Sequence, residues 1–469
     1  MPNPDRCLGN VPNCLPRFFA GAKAVAALTI AGLLCTASES RAQDAQYWTQ
    51  QYGPRGSLLS GAVIGSISDI SGTFYNPGSL GLAESLPFAL STDVFEYENI
   101  RVEDGAGAGV DLGTARSGIR PSLIAGTFTS DLGGGVFAYS VLTRHRAAVD
   151  VNAQIIASGA DIPPQLELNE VVGVSRVDGE FSDVWAGLSY SHSLGSHLGL
   201  GLTLYGAHRT QRRRREGIQE AIATDGSPFV NIDVGGGNYS ALRTLAKVGG
   251  YFSSGPVSAG LTVTTPSLHI TGSGEFGVNE ATFSSDTTAL LATVQTGLDA
   301  EYKSPLSVGL GLGWQIGKAR LNASGEWFDK IDPYVVMQGE DVVQQEPAQV
   351  VAFDLVQSMD EVFNWALGVE YAFKESVVGY ASFSTDNTGY TDKIERADLS
   401  LGGIDLYSAF LGADFRVKSA RLTLGAGYGW GSAPAPRITD VLQGADEGRE
   451  ANIVYSRIRL LFGFELGVD

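Results

Sequence analysis

Arg209, Arg212, Arg213, Arg214 and Arg215 crowd into one short stretch of a chain whose formal net charge is −19. Guanidinium forks match phosphate and carboxylate oxygens in pairs, so the cluster is read as a contact for the phosphates of lipopolysaccharide. A solvated strand end balanced by Glu216 and Glu220 is the plainer alternative, and capture of a fatty-acid carboxylate is a third. Catalytic chemistry has less to work with. The histidines are His145, His192, His197, His208 and His269, and none stands in a Ser/His/Asp or metal-ligand spacing. The chain is therefore read as a non-enzyme, with no catalytic residue, no metal site and no cofactor. Gly309-Leu310-Gly311-Leu312-Gly313 has glycines at alternate positions, but it lies inside a strand pattern and not between a strand and a helix. Those glycines are expected to line a lumen.

The acidic balance, with a pI near 4.7, argues against nucleic acid, whose phosphates need a basic footprint. Arg6, Arg17 and Lys23 precede an apolar run from Ala24 to Ala37, and Ser40-Arg41-Ala42 offers small residues where a signal peptidase needs them. Residues 1–42 are accordingly read as a secretory signal peptide. Cys7, Cys14 and Cys35 all fall within it, so the mature chain would hold neither a disulfide nor a thiolate metal site. No run of about 20 apolar residues exists, so any membrane span has to be a strand.

Strands are what the mature sequence offers. Phe363, Trp365, Leu367, Val369, Tyr371 and Phe373 alternate with small or polar residues, as do Leu306 to Ile316 and Leu422 to Trp430. Period two over about ten residues is the length that a tilted strand needs to cross a bilayer, and about twice the usual soluble strand. Tight turns near Asp131–Gly134, Leu194–Ser196, Ser253–Pro256, Gly317-Lys318, Phe373–Ser376 and Arg416–Ser419 alternate with long polar segments, near 99–120, 151–179, 211–238, 271–303, 328–362, 385–403 and 431–452. The fold class that follows is all-β, a fourteen-stranded antiparallel transmembrane barrel over residues 86–469 in the bacterial outer membrane. An Arg facing lipid at mid-membrane costs about 2–4 kcal/mol, so Arg457 and Arg459 of the last strand are expected to face the lumen. The chain runs past that strand to Gly467-Val468-Asp469, and Phe464 is expected to serve as its closing aromatic.

Between signal and barrel, residues 43–85 are rich in small and apolar residues with a turn at Asn76-Pro77-Gly78, which suits a segment folded inside the barrel as a plug. Asp69-Ile70-Ser71 followed by Phe74-Tyr75-Asn76-Pro77-Gly78-Ser79-Leu80 resembles the hatch of FadL-type long-chain fatty-acid and hydrocarbon transporters. Pro305–Trp327 and Trp365–Phe383 are similar to strand pairs of that family. Gly78-Ser79 stands where Ala-Gly or Ala-Ala is commoner, and the terminal aromatic is absent. The resemblance implies a hatch-plugged barrel for passive uptake of a hydrophobic small molecule, long-chain fatty acids first and hydrocarbons next. In it Asn76, Pro77 and Gly78 would form the hatch turn, with Phe74, Tyr75 and Leu80 as its contacts. Partners would be the substrate and the outer-membrane lipid, and the barrel a monomer. The other readings are a barrel that binds or anchors secreted proteins, and a structural surface barrel. Intact mass of the mature protein should place its first residue at Gln43; a lipidated Cys35 would overturn the signal reading.

Overall fold

The computed structural model describes residues 45–83, 88–103, 111–128, 134–159, 162, 167–285, 288–344, 349–351, 353–390, 403–418, 420–435 and 451–466. The expected signal peptide at 1–42 and the terminal Gly467–Asp469 lie outside them. Twenty strands follow the inner segment: β1 Phe88–Glu103, β2 Leu112–Phe128, β3 Val136–Ser158, β4 Leu168–Leu194, β5 Leu198–Ala223, β6 Pro228–Ser254, β7 Val257–Thr264, β8 Leu268–Phe283, β9 Thr288–Asp299, β10 Ser307–Ile316, β11 Ala319–Phe328, β12 Ile331–Gln338, β13 Val342–Gln344, β14 Gln349–Val351, β15 Asp354–Met359, β16 Val362–Lys374, β17 Val377–Asp386, β18 Leu406–Val417, β19 Ala420–Ala435 and β20 Ala451–Leu466. Among the described residues the main sheet has sixteen strands and closes on itself, because β5 also pairs with β6. β8 and β9 continue β7 and β10 outward past short breaks, so the ring itself has fourteen members, β1 to β7, β10, β11 and β16 to β20. Every pairing is antiparallel. A closed ring leaves no sheet edge, the condition for a β-structure in lipid.

Alternation sets the two faces. Phe363, Trp365, Leu367, Val369, Tyr371 and Phe373 of β16 point outward and are exposed, as are Leu310, Leu312, Trp314 and Ile316 of β10. Trp365, Phe383, Tyr407, Trp430 and Tyr428 touch across β16 to β19 with ring centroids 5.5 to 6.2 Å apart. At the short-turn end, Tyr371 and Phe373 meet at 5.0 Å. Eight residues at about 3.3 Å, tilted about 40°, separate these aromatic levels by about 20 Å, close to the height of an apolar belt. Arg457 and Arg459 are each 2% exposed and face the lumen, as the charge argument requires.

The long polar segments differ from expectation. Residues 151–179, 211–238 and 271–303 are largely strand: β3 to β6, β8 and β9 carry the wall well beyond the apolar belt. There the outer face no longer meets lipid and buried inner positions such as Gln219, Asn231 and Asp233 are polar, so the apolar stripe that marks a strand disappears while the ladder persists. Cross-strand polar pairs hold it, among them Arg176–Asp150 at 3.4 Å, Arg215–Asp233 at 3.2 Å and Asn238 donating to Glu275 at 2.8 Å. Within 328–362, β12 and β15 pair as a hairpin that turns inward and buries Val336, Met337 and Met359.

The lumen is filled by the chain's own start. From Ala45 to Leu80 every residue but Ser68 is buried. Lumen-facing glycines make this possible. A Cβ on Gly311 would lie against the Gly65 backbone and 2.8 Å from the Ile64 carbonyl carbon, and one on Gly78 would lie 2.7 Å from the carbonyl oxygens of Gly199 and Gly249. Gly368 touches Leu59, Gly412 and Gly425 touch Leu58, and Gly463 touches Pro54. Gly311→Val should therefore leave a heat-modifiable, folded barrel but expose residues 45–83 to protease; full protection of that segment would overturn this seating.

Candidate functional site

The plug is two one-turn helices, α1 (Pro54–Leu58) and α2 (Gly72–Tyr75), and a 3-10 turn at Pro77–Leu82. Helices this short have little stability of their own. Asn76 joins α2 to the last turn with an extended backbone, φ −159°. Its Oδ1 accepts the Gly78 N–H at 3.1 Å, and its Nδ2 donates to the carbonyls of Ile64 at 3.1 Å and Gly250 at 3.0 Å. One side chain thus ties the turn to itself, to the rest of the plug and to wall strand β6. Pro77, which has no N–H to satisfy, begins the 3-10 turn. Gly81 N–H reaches Ser191 Oγ at 2.9 Å, and Leu80 is fully buried.

Phe74 and Tyr75 sit in an aromatic group. Phe74 lies 4.3 Å from Tyr52 and 6.5 Å from Trp185, and Trp185 lies 5.2 Å from Tyr205. Tyr75 hydroxyl donates to Gln51 Oε1 at 2.8 Å and accepts the Tyr52 N–H at 2.9 Å. Two cations stand over the Phe74 ring, Lys247 Nζ at 4.6 Å and the Arg144 guanidinium at 5.5 Å. Beside them is a small cavity bounded also by Trp48, Gln51, Ile64 and Glu326.

Charged anchors outside the predicted set fix the plug. Arg55 pairs with Glu370 of β16 at 2.5 Å and donates to the Ser66 carbonyl at 2.9 Å. Asp386 accepts the backbone N–H groups of Tyr47 and Trp48 at 3.1 and 2.7 Å and the Thr49 hydroxyl at 2.6 Å. Trp48 Nε1 donates to Glu326 at 2.9 Å, and Arg457 donates to the Thr49 carbonyl at 2.9 Å. Pattern reading placed Arg457 in the lumen but missed the others. A usable signal existed: Glu370 is the one acid on the small-residue face of β16, and an acid in a lumen needs a partner.

Among the described residues the wall above the plug is incomplete. β2 pairs with β3 only from Leu123↔Leu142 to Phe128↔Phe137, although β3 runs on to Ser158 paired with β4. A register shift between Thr143 and His145 kinks β3 where the seam begins. Tyr52 of the plug stands there, its hydroxyl 3.2 Å from the Thr143 carbonyl and 3.4 Å from that of Arg144. Burial pushes the Tyr52 phenol up to about 12, against the opposing charge of Arg144, so it keeps its donor proton. Ile119, Val141 and Val184 lie on the outer face beside the seam and are exposed.

The arginine cluster splits by strand periodicity. Arg209 is fully buried in the lumen, bonded to Tyr239 and Gln211 at 3.1 and 2.6 Å and 4.0 Å from the Tyr302 ring. It cannot touch lipopolysaccharide, because odd positions of β5 face inward and the strand does not end there. Arg213 and Arg215 share its face, and Arg215 bonds Asp233 and Glu280. Arg212 and Arg214 face outward, beside Asp178 at 3.4 Å and Glu216 at 2.5 Å. Arg144 likewise points into the lumen and not to the outer surface. Among the described residues no group of His, Cys, Asp or Glu could hold a metal ion.

A crystal structure of a Pseudomonas aeruginosa FadL homologue superposes with TM-score 0.55 at 12% identity, covering 91% of this chain and 100% of that one. The chain has the FadL-type fold. The P. putida toluene transporter TodX matches with TM-score 0.56 at 13% identity over 89% of this chain and 99% of that one. The Ralstonia pickettii toluene transporter TbuX matches with TM-score 0.52 at 11% identity over 90% and 99%. No family model matches the chain, and no curated protein is similar to it in sequence. The FadL-type fold is thus shared at identities where few side chains persist, so residue roles rest on the contacts above. Asn76→Ala should leave up to three buried polar groups unpaired, at about 1–3 kcal/mol each. Hydrogen exchange should quicken across residues 72–82 in an assembled barrel; unchanged exchange would show that Asn76 does not hold the turn.

Proposed function

We propose that this protein is an outer-membrane channel for passive uptake of hydrophobic molecules, which leave the lumen sideways through the seam between β2 and β3. The observation that carries this reading is the seam itself, with Tyr52 of the plug standing at its edge. An apolar solute gains about 25 cal/mol per Å² on leaving water, so a plugged lumen opening toward lipid suits it better than a water-filled pore. The solved proteins of this fold named above as toluene transporters agree in class.

Long-chain fatty acids are the first candidate substrate. The Phe74, Tyr52, Trp185 and Tyr205 rings offer apolar contact for a chain, while Lys247 and Arg144 offer charge for its carboxylate, with Glu326 3.9 Å from Lys247. Hatch movement would come from release of the Asn76 turn, with Phe74, Tyr75, Pro77, Gly78 and Leu80 moving with it. The plug can be locked by design, since Leu59 Cβ lies 3.5 Å from where a Cβ on Gly368 would stand, within disulfide reach. The Leu59→Cys, Gly368→Cys pair should block uptake of radiolabelled oleate when oxidised and restore it when reduced. Uptake that persists with the disulfide formed would sink the hatch mechanism, and toluene in place of oleate reports the substrate class.

A further inference from the structure

Beyond the apolar belt, the outer surface of the wall carries a concavity of about 580 Å³. Its floor is built from side chains in cross-strand register. Arg146, Ser182, Thr210, Ser240 and Ser273 form one row across β3, β4, β5, β6 and β8, each paired with the next. One step outward, Glu180, Arg212, Asn238 and Glu275 form a second. Their sequence neighbours Phe181, Gln211 and Tyr239 are buried, whereas Glu180 and Arg212 are 60% and 58% exposed, so the concavity faces away from the lumen.

The chemistry of this lining is particular. Four hydroxyls, an amide, two guanidinium groups and two carboxylates face one space without a large outward apolar side chain. Phosphate alone would meet the two acids, and an acyl chain would find no apolar floor. A sugar ring, with hydroxyls that both donate and accept around its rim, can use every group present. Guanidinium groups at Arg146 and Arg212 suit the phosphate or carboxylate substituents that such sugars carry.

Inward of the concavity, past the row of Val184, His208 and Leu242, the surface changes character. Ala186, Gly206 and Thr244 pair across β4, β5 and β6, and a Cβ on Gly206 would meet nothing within 4 Å. Leu188 and Leu204, 64% and 55% exposed, rise on the far side of this low strip. A polar recess thus stands one row above a shallow trough edged by Leu188 and Leu204. We propose that the recess binds the saccharide head group of an outer-leaflet glycolipid of the lipopolysaccharide type, with an acyl chain along the trough. This rests on the outer-membrane placement proposed above and is independent of what the channel carries.

Binding of rough-type lipopolysaccharide and of its delipidated core oligosaccharide to the detergent-purified mature protein tests it. Ser240→Trp fills the recess from the outer face; it should weaken lipopolysaccharide binding by at least about tenfold while oleate uptake is unchanged. The delipidated oligosaccharide should bind at least about tenfold more weakly than the intact lipid, since the trough is left empty. If Ser240→Trp fails to give a heat-modifiable barrel, Asn238→Leu serves in its place with the same expectation. Wild-type affinity in a folded variant would overturn the site, and equal affinity for free oligosaccharide would overturn the lipid-anchored reading. A blocked channel in the oxidised Leu59→Cys, Gly368→Cys protein, with lipopolysaccharide binding intact, separates the two proposals; loss of both together would overturn the present one.

Discussion

In lipid a backbone N–H or C=O without a partner costs several kcal/mol, because no water is there to replace it. The whole molecule is arranged around that constraint. Fourteen members of one antiparallel ring satisfy each other, and the ring closes through β1 and β20 so that neither end of the sheet is left open. The seam above Leu123↔Leu142 is where β3 parts from β2, and there the plug supplies what the neighbouring strand does not. Tyr52 offers a protonated hydroxyl to the carbonyls at the kink, so the inner segment is part of the wall's own hydrogen-bond account.

Filling the lumen requires a second arrangement, one of shape. Plug and wall meet backbone to backbone at Gly65 and Gly311, and at Gly78 with Gly199 and Gly249. Side chains there would hold the surfaces apart, and charge does the aligning. Arg55 is buried and Glu370 nearly so, and removing one partner of such a buried pair costs about 3–5 kcal/mol. Asp386 is buried and accepts the backbone N–H groups of Tyr47 and Trp48.

The barrel was legible in the sequence because lipid on one face and a small-residue lumen on the other impose a strict alternation. Phe363 to Phe373 shows it, and Arg457 and Arg459 show which face is which. Beyond the belt the outer face no longer meets lipid and the buried inner face takes polar residues, and Val151 to Gly179 reads as loop although the ladder continues through it. The Asn76 turn was legible because its residues are local; its acceptors on Ile64 and Gly250 were not, since Gly250 is brought in only by the tertiary fold. Arg209 shows the cost of reading a cluster by proximity: period two separates it from Arg212 and Arg214, which proximity in sequence had joined to it.

The plug's attachments also set an order of events. Pro54 rests on Gly463, Leu58 on Gly412 and Gly425, Arg55 on Glu370 and Trp48 on Glu326, so the segment nearest the start of the chain depends on strands made near its end. Contacts at such separations form late, because the intervening chain must first be brought together. The first part of the plug therefore has no place to settle until the late strands β11 and β16 to β20 are in place. Until then Glu370, Asp386 and Arg457 lack the plug partners that satisfy them in the finished barrel, so full sealing of the lumen belongs to the end of assembly.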